Sequence, residues 1–188
     1  MLLKKNKKLK PLSIYERWFD VIHVHIDGSC LGNSRSRVTP GGWAAIYVDD
    51  LNDDGKTCEV DCYSQSIPDT TSDRAELTAF IEAMNIIAKK GDYNKKITIH
   101  TDSRYVVDGY TAWLSSWIAN GWKRRNGKPV LNKDLWLQVT KLPKMTELSI
   151  EWEKGHAGNK YNEIADKLAH DRAKHALAGG DGCLGFQM

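Results

Sequence analysis

Cysteine is scarce: Cys30, Cys58, Cys62 and Cys183 are the only four in 188 residues. Cys58 and Cys62 fall in a segment that reads as a strand, where four residues span about 13 Å at ~3.3 Å each. That is too far for a disulfide, whose Cα atoms must come within about 7 Å. The four do not form the closely spaced pairs, matched by a second pair or by histidines, that a zinc site uses. Reduced structural thiols are expected. No apolar run approaches the ~20 residues that cross a bilayer, so no membrane partner is expected. The lysine-rich N-terminus is not followed by the apolar stretch of a signal peptide, and its lysines without arginine or much serine do not suit a mitochondrial presequence. A cytoplasmic protein is the expectation. Internal repeats are absent as well.

What remains is an ordinary globular composition, 41% hydrophobic and 27% charged, at a length that suits one domain with a sizeable core. The net charge of +3 is small but uneven. Residues 1–10 hold five lysines and no acid, and taking those five from +3 leaves −2 for the rest. A second basic cluster, Lys123, Arg124, Arg125 and Lys128, lies beside tryptophans. A slightly acidic body with local basic patches suits a protein that holds cations in one place and phosphates in another. Residues 1–20 read as a basic extension. Residues 178–188, with Gly179, Gly180 and Gly182, read as a loose tail.

Between these ends the hydrophobic periods alternate. In residues 21–33, Ile22, Val24 and Ile26 alternate with His23, His25 and Asp27, the period of a strand with one apolar face. Gly28, Ser29 and Gly32 then form a small-residue corner. Residues 41–48 and 57–66 predict two more strands, joined by the turn signal Asn52-Asp53-Asp54-Gly55 into antiparallel hairpins. Residues 70–91 form the clearest helix, with Leu77, Phe80, Ile81, Met84, Ile87 and Ala88 at 3, 4, 7 spacing. Thr71, Ser72 or Asp73 can cap it. Lys96–Thr101 is a fourth strand, parallel to the first through a right-handed crossover. Short helices over 103–120, broken around Gly109, lead to a basic protrusion at 121–133 and a helix from about Lys133 to Leu142. A fifth strand at 147–153, a glycine-flanked loop and a last helix at 160–177 complete the chain.

Four carboxylates fall at places where open α/β sheets put their chemistry. Asp27 ends strand one, Glu76 opens the long helix, Asp102 ends strand four, and Asp166 lies on the last helix after the His156 loop. Singly, each has a plain structural role: Glu76 fits a capping box and Asp102 fits a helix N-cap. All four together do not. The motifs Ile26-Asp27-Gly28-Ser29-Cys30-Leu31-Gly32-Asn33, Arg74-Ala75-Glu76-Leu77, Thr101-Asp102-Ser103-Arg104-Tyr105-Val106 and Gly155-His156-Ala157-Gly158-Asn159 stand in order. From about residue 21 to residue 170 the chain resembles a type 1 ribonuclease H.

That resemblance implies an α/β fold with a five-stranded mixed sheet, three antiparallel strands followed by two parallel ones, and helices on both faces. It makes residues 21–177 the ribonuclease H domain. It implies hydrolysis of the RNA strand of an RNA–DNA hybrid by a monomer using two Mg²⁺ ions, with Mn²⁺ as substitute. Asp27, Glu76, Asp102 and Asp166 are then the metal ligands, and His156 serves in proton transfer or product release. His23, His25, His100, His170 and His175 are expected to be surface or strand histidines. Gly28, Ser29, Asn33, Asp73 and Arg104 would face the 2′-hydroxyls of the hybrid minor groove. Thr71, Ser116 and Trp117 would face the DNA strand, and Lys123, Arg124 and Arg125 would grip phosphates. Asp73 departs from the family pattern, in which an amide stands there. An ionised carboxylate can accept but not donate a hydrogen bond, so altered sequence preference is expected. The positions after Trp117 (Ile118, Ala119, Asn120) are often basic in bacterial relatives and are neutral here.

Overall fold

The computed structural model describes residues 21–32, 39–49, 59–180 and 183–187. The basic extension at 1–20, Asn33 and all of residues 50–58 lie outside the described residues. Strands β1 (Val21–Cys30), β2 (Thr39–Asp49) and β3 (Glu59–Thr70) are antiparallel neighbours. Helix α1 (Ser72–Lys90) carries the chain across to β4 (Lys96–Thr101), which pairs parallel with β1. Strand β5 (Glu147–Trp152) pairs parallel with β4. The five expected strands therefore stand in the expected order, β3-β2-β1-β4-β5.

A sixth strand, β6 (Cys183–Gln187), pairs antiparallel with β3 and corrects the expectation of a loose tail. The open side of β3 supplies unpaired backbone N–H and C=O groups, and a five-residue segment is enough to take them up. Before it, Gly179 follows the last helix at a φ of 81°.

Burial explains why β2 reads as a continuous apolar run. Trp43, Ala45 and Tyr47 face one side, in a core with Ile22, Val24, Ile26, Ile97, Ile99 and the α1 stripe of Leu77, Phe80, Ile81, Met84 and Ile87. Ala44, Ile46 and Val48 face the other, against Ala165 and Ala169 of helix α5 (Lys160–Leu177). A strand covered on both faces has no polar side to show. Helix α1 ends at Gly91, whose φ of 81° lets its N–H reach back to the carbonyls of Ile87 and Ala88.

The segment after β4 differs from expectation. Helix α2 (Arg104–Asp108) runs without a break through a π-helical turn at Gly109–Trp113 into α3 (Leu114–Ala119). Gly109 does not interrupt the helix; a Cβ there would lie 2.3 Å from the Trp136 ring, so glycine serves close packing. Trp136 belongs to α4 (Lys133–Val139), which stops short of Leu142. Arg74 ties α1 to α4 through two hydrogen bonds to Asp134, at 2.9 and 2.7 Å. Among the described residues no helix is long and apolar enough to cross a membrane.

Candidate active site

Asp27 sits on β1 and is only 6% exposed. Across the parallel register His25 pairs with His100, which places Asp27 and Asp102 two residues further along the same face of neighbouring strands. Glu76 arrives from α1. It lies beyond the capping-box position, and its Oε2 accepts a 3.1 Å hydrogen bond from the Gly28 N–H. A Cβ at Gly28 would fall 2.1 Å from the Glu76 nitrogen, so only glycine lets the helix approach the strand this closely. Asp102 is not a cap either. The Ser103 side chain caps α2 by accepting from the Val106 N–H, which leaves the Asp102 carboxylate unengaged by the helix.

Asp27, Glu76 and Asp102 offer carboxylate oxygens that all lie within 4.8 Å of one another. Asp166, half-buried on α5, stands outside that trio, yet its charge acts on both Asp27 and Asp102. Burial raises the Asp27 carboxyl to about 7, helped by the charges of Asp102 and Asp166. Burial also raises Glu76 well above the usual range, with Asp27 and Asp102 adding repulsion and the Gly28 N–H partly opposing it. Asp102 is raised by burial and Asp166, while His156 pulls it back. Buried carboxylates that repel one another are a donor set for a hard divalent cation, which prefers oxygen and neutralises the charge.

His156 is exposed and takes a positive φ of 52° on the loop between β5 and α5. That loop passes close over the acids: a Cβ at Gly155 would sit 2.4 Å from Asp102 Oδ2. Asn159 closes the loop, accepting from the N–H groups of Tyr161 and Asn162 as the cap of α5.

The remaining candidates divide into two places. Asp73, Glu76, Asp102 and Arg104 line a cleft of about 560 Å³ together with Ser72, Ser103 and Tyr105. Arg104 lays its guanidinium 3.9 Å above the Trp152 ring. Thr71 is the N-cap residue of α1, although its side chain makes no capping bond. Ser29 is not among the residues that line this cleft, and its Oγ lies 3.5 Å from His170 Nδ1. The second place is a groove of about 770 Å³ lined by Trp113, Ser116, Trp117, Lys123, Arg124 and Arg125. It is held open by a small hairpin in which Arg124 N–H donates to Lys128 O and Lys123 bridges to Pro129.

Several residues escaped sequence reasoning. Trp152, whose indole N–H donates to the Asp102 carbonyl at 2.9 Å, carries no charge to mark it, and Gly155 and Ser103 stand in the motifs without a role of their own. Two of the histidines read as incidental are buried: His25 is 4% and His100 8% exposed. Burial, followed by the neighbouring histidines His100 and His23, lowers His25 to about 3. His100 is lowered mainly by burial, against the pull of Glu153.

Comparison with known proteins matches this arrangement. Residues 20–174 fit the family model described as RNase H. The chain is 42% identical over 149 residues to the Ribonuclease H of Ehrlichia chaffeensis, covering 79% of this chain and 92% of that protein. It is 41% identical over 150 residues to the Ribonuclease H of Hyphomonas neptunium, covering 80% and 90%. Among solved structures it resembles LC9-RNase H1, a type 1 RNase H, with a TM-score of 0.74 and 32% identity over 88% of this chain and 77% of that one. The sheet order agrees with these likenesses, and the chain belongs to the ribonuclease H family, enzymes that cut the RNA strand of RNA–DNA hybrids.

Proposed function

We propose that Asp27, Glu76, Asp102 and Asp166 are the catalytic carboxylates and that together they hold two divalent ions, Mg²⁺ with Mn²⁺ as substitute. The observation that supports this most directly is the crowding of Asp27, buried, and Glu76 and Asp102, half-buried, within 4.8 Å, with their carboxyls pushed upward by burial and mutual repulsion. Bound there, the ions supply activation of the attacking water and stabilisation of the leaving 3′ oxygen, which yields 5′-phosphate and 3′-hydroxyl ends.

The chain's own residues do the rest. The Gly28 N–H holds one oxygen of Glu76 and so fixes the direction of the other. His156 carries a proton between the site and solvent from its exposed loop. Arg104, flat against Trp152, presents its guanidinium at the cleft mouth, where the hybrid minor groove would lie. Asp73 lines the same cleft and accepts hydrogen bonds from 2′-hydroxyls. Gly28, Ser29, Asn33 and Thr71 complete the nucleic-acid face. Lys123, Arg124 and Arg125 grip phosphates of the DNA strand, which rests on Ser116 and Trp117. A cytoplasmic monomer acting on free hybrids completes the proposal.

The test is cleavage of an end-labelled RNA–DNA hybrid in Mg²⁺, beside plain duplex DNA and beside the Asp27→Asn and Asp102→Asn variants. Cleavage of the RNA strand alone, lost in both variants, is expected. Parent-like cleavage by both variants would sink the assignment of these acids.

A further inference from the structure

His25, His100 and Glu153 come from β1, β4 and the residue that follows β5. Each offers one ligand atom, and the three atoms lie within 4.8 Å of one another. Nδ1 of His25 and Nδ1 of His100 are buried, and neither has a hydrogen-bond partner. Glu153 is close to both. Its Oε1 is 2.8 Å from His100 Nδ1, near enough for a hydrogen bond but off the direction of the ring N–H. Its Oε2, 3.6 Å from His25 Nδ1, is too distant for one. Two buried ring nitrogens and a carboxylate therefore converge, with only His100 and Glu153 in close contact and His25 Nδ1 left without a partner.

We propose that His25, His100 and Glu153 form a second metal site, chemically distinct from the carboxylate cluster, that takes a zinc-type divalent transition ion. Two imidazoles and one carboxylate are a donor set zinc accepts, with a fourth position left to water. A hard ion such as Mg²⁺ prefers the all-oxygen cluster two residues further along the same strands. The surroundings are those of a supported site. Asn159 Nδ2 donates to Glu153 Oε2 at 3.0 Å and holds the carboxylate. His100 Nε2 lies 2.9 Å from His23 Nδ1, which leaves Nδ1 for the ion when Nε2 carries the proton. Tyr161 packs against the His25 ring, with centroids 5.5 Å apart. The rings of His25 and His100 are stacked within 13° of parallel, so binding turns one of them toward the shared edge. An ion there fastens β1 and β4 to the start of the loop that bears His156.

The site is tested in the full, untagged chain carrying Asp27→Asn, Glu76→Gln and Asp102→Asn, which removes the neighbouring oxygen cluster. Cobalt(II) is titrated as a spectroscopic stand-in. One equivalent should give the intense visible bands of a four- or five-coordinate nitrogen-ligated ion, displaceable by Zn²⁺, and Zn²⁺ should raise Tm. Adding Glu153→Gln, which keeps the side chain's shape and whose fold is checked by circular dichroism, should weaken binding at least about tenfold. Adding His100→Ala should abolish it. A spectrum that stays that of the hydrated ion, or binding unmoved by Glu153→Gln and His100→Ala, overturns the proposal.

Discussion

The acidic cluster and the basic groove show two ways of concentrating charge. Lys123, Arg124 and Arg125 are consecutive in the chain, with Lys123 and Arg125 exposed and Arg124 half-buried, and their charges sit on long flexible stems. Their repulsion is screened and costs the fold little. Asp27, Glu76 and Asp102 come from three elements and are held together by the sheet register and by the contact between Gly28 and α1. Their repulsion is screened less, because Asp27 is buried and the other two half-buried, and the hydrophobic core beneath them keeps them in place. The first arrangement tunes affinity for a polyanion; the second makes a demand for cations that only the folded chain can express.

The comparison is broken most sharply at Asp102. Asp102→Asn is expected to lower kcat for hybrid cleavage by at least about a thousandfold while leaving KM within a few-fold, since the lost contacts act on the reacting phosphate. Steady-state kinetics on a labelled hybrid checks this. His156→Ala removes a proton carrier and not an ion ligand, so a loss of about ten- to a hundredfold in kcat is expected, with metal dependence retained. A pH–rate profile identical to the parent's would exclude a role in proton transfer.

The cost of burying like charges is measurable without substrate. Asp27 titrates near 7 in the folded chain and near 3.8 when unfolded, so the folded state binds the proton more tightly. Its contribution to stability is therefore full below about pH 4 and is lost as pH rises through about 7. In metal-free protein Asp27→Asn should raise stability at pH 8 by roughly 2 kcal/mol and flatten the pH dependence between 4 and 8. Urea titrations at several pH values test this, and saturating Mg²⁺ should shrink the difference.

The basic groove should respond more gently. Replacing Lys123, Arg124 and Arg125 together by alanine should raise KM about tenfold at moderate salt and reduce the slope of log affinity against log salt by about 2 to 3. kcat should hold. A fall in kcat at constant KM would mean that these residues reach the reacting centre.

Much of this was legible in the sequence because local pattern and tertiary role coincide. Lys96–Thr101 and Lys160–Leu177 have the bounds their periodicity predicts. The acids could be found because each lies in or beside an element with its own signal, although β1 runs on past Asp27, where the sequence suggested its end, to Cys30. Other features carry no such mark. Gly109 looks like a helix breaker until Trp136, from another helix, is seen against it. β6 is five residues long and exists because β3 offers an open edge. His25, His100 and Glu153 lie in three separate segments that only strand pairing unites, so each looks incidental in isolation.

The parallel pairing of His25 with His100 acts as a combination lock. Shifting β4 by a single residue would bring Ile99 and Thr101 to the face now held by His100 and would bury Asp102 among aliphatic side chains. Loops elsewhere can lengthen or shorten, but insertion or deletion of one residue within either strand would disarm both ion-binding clusters at once.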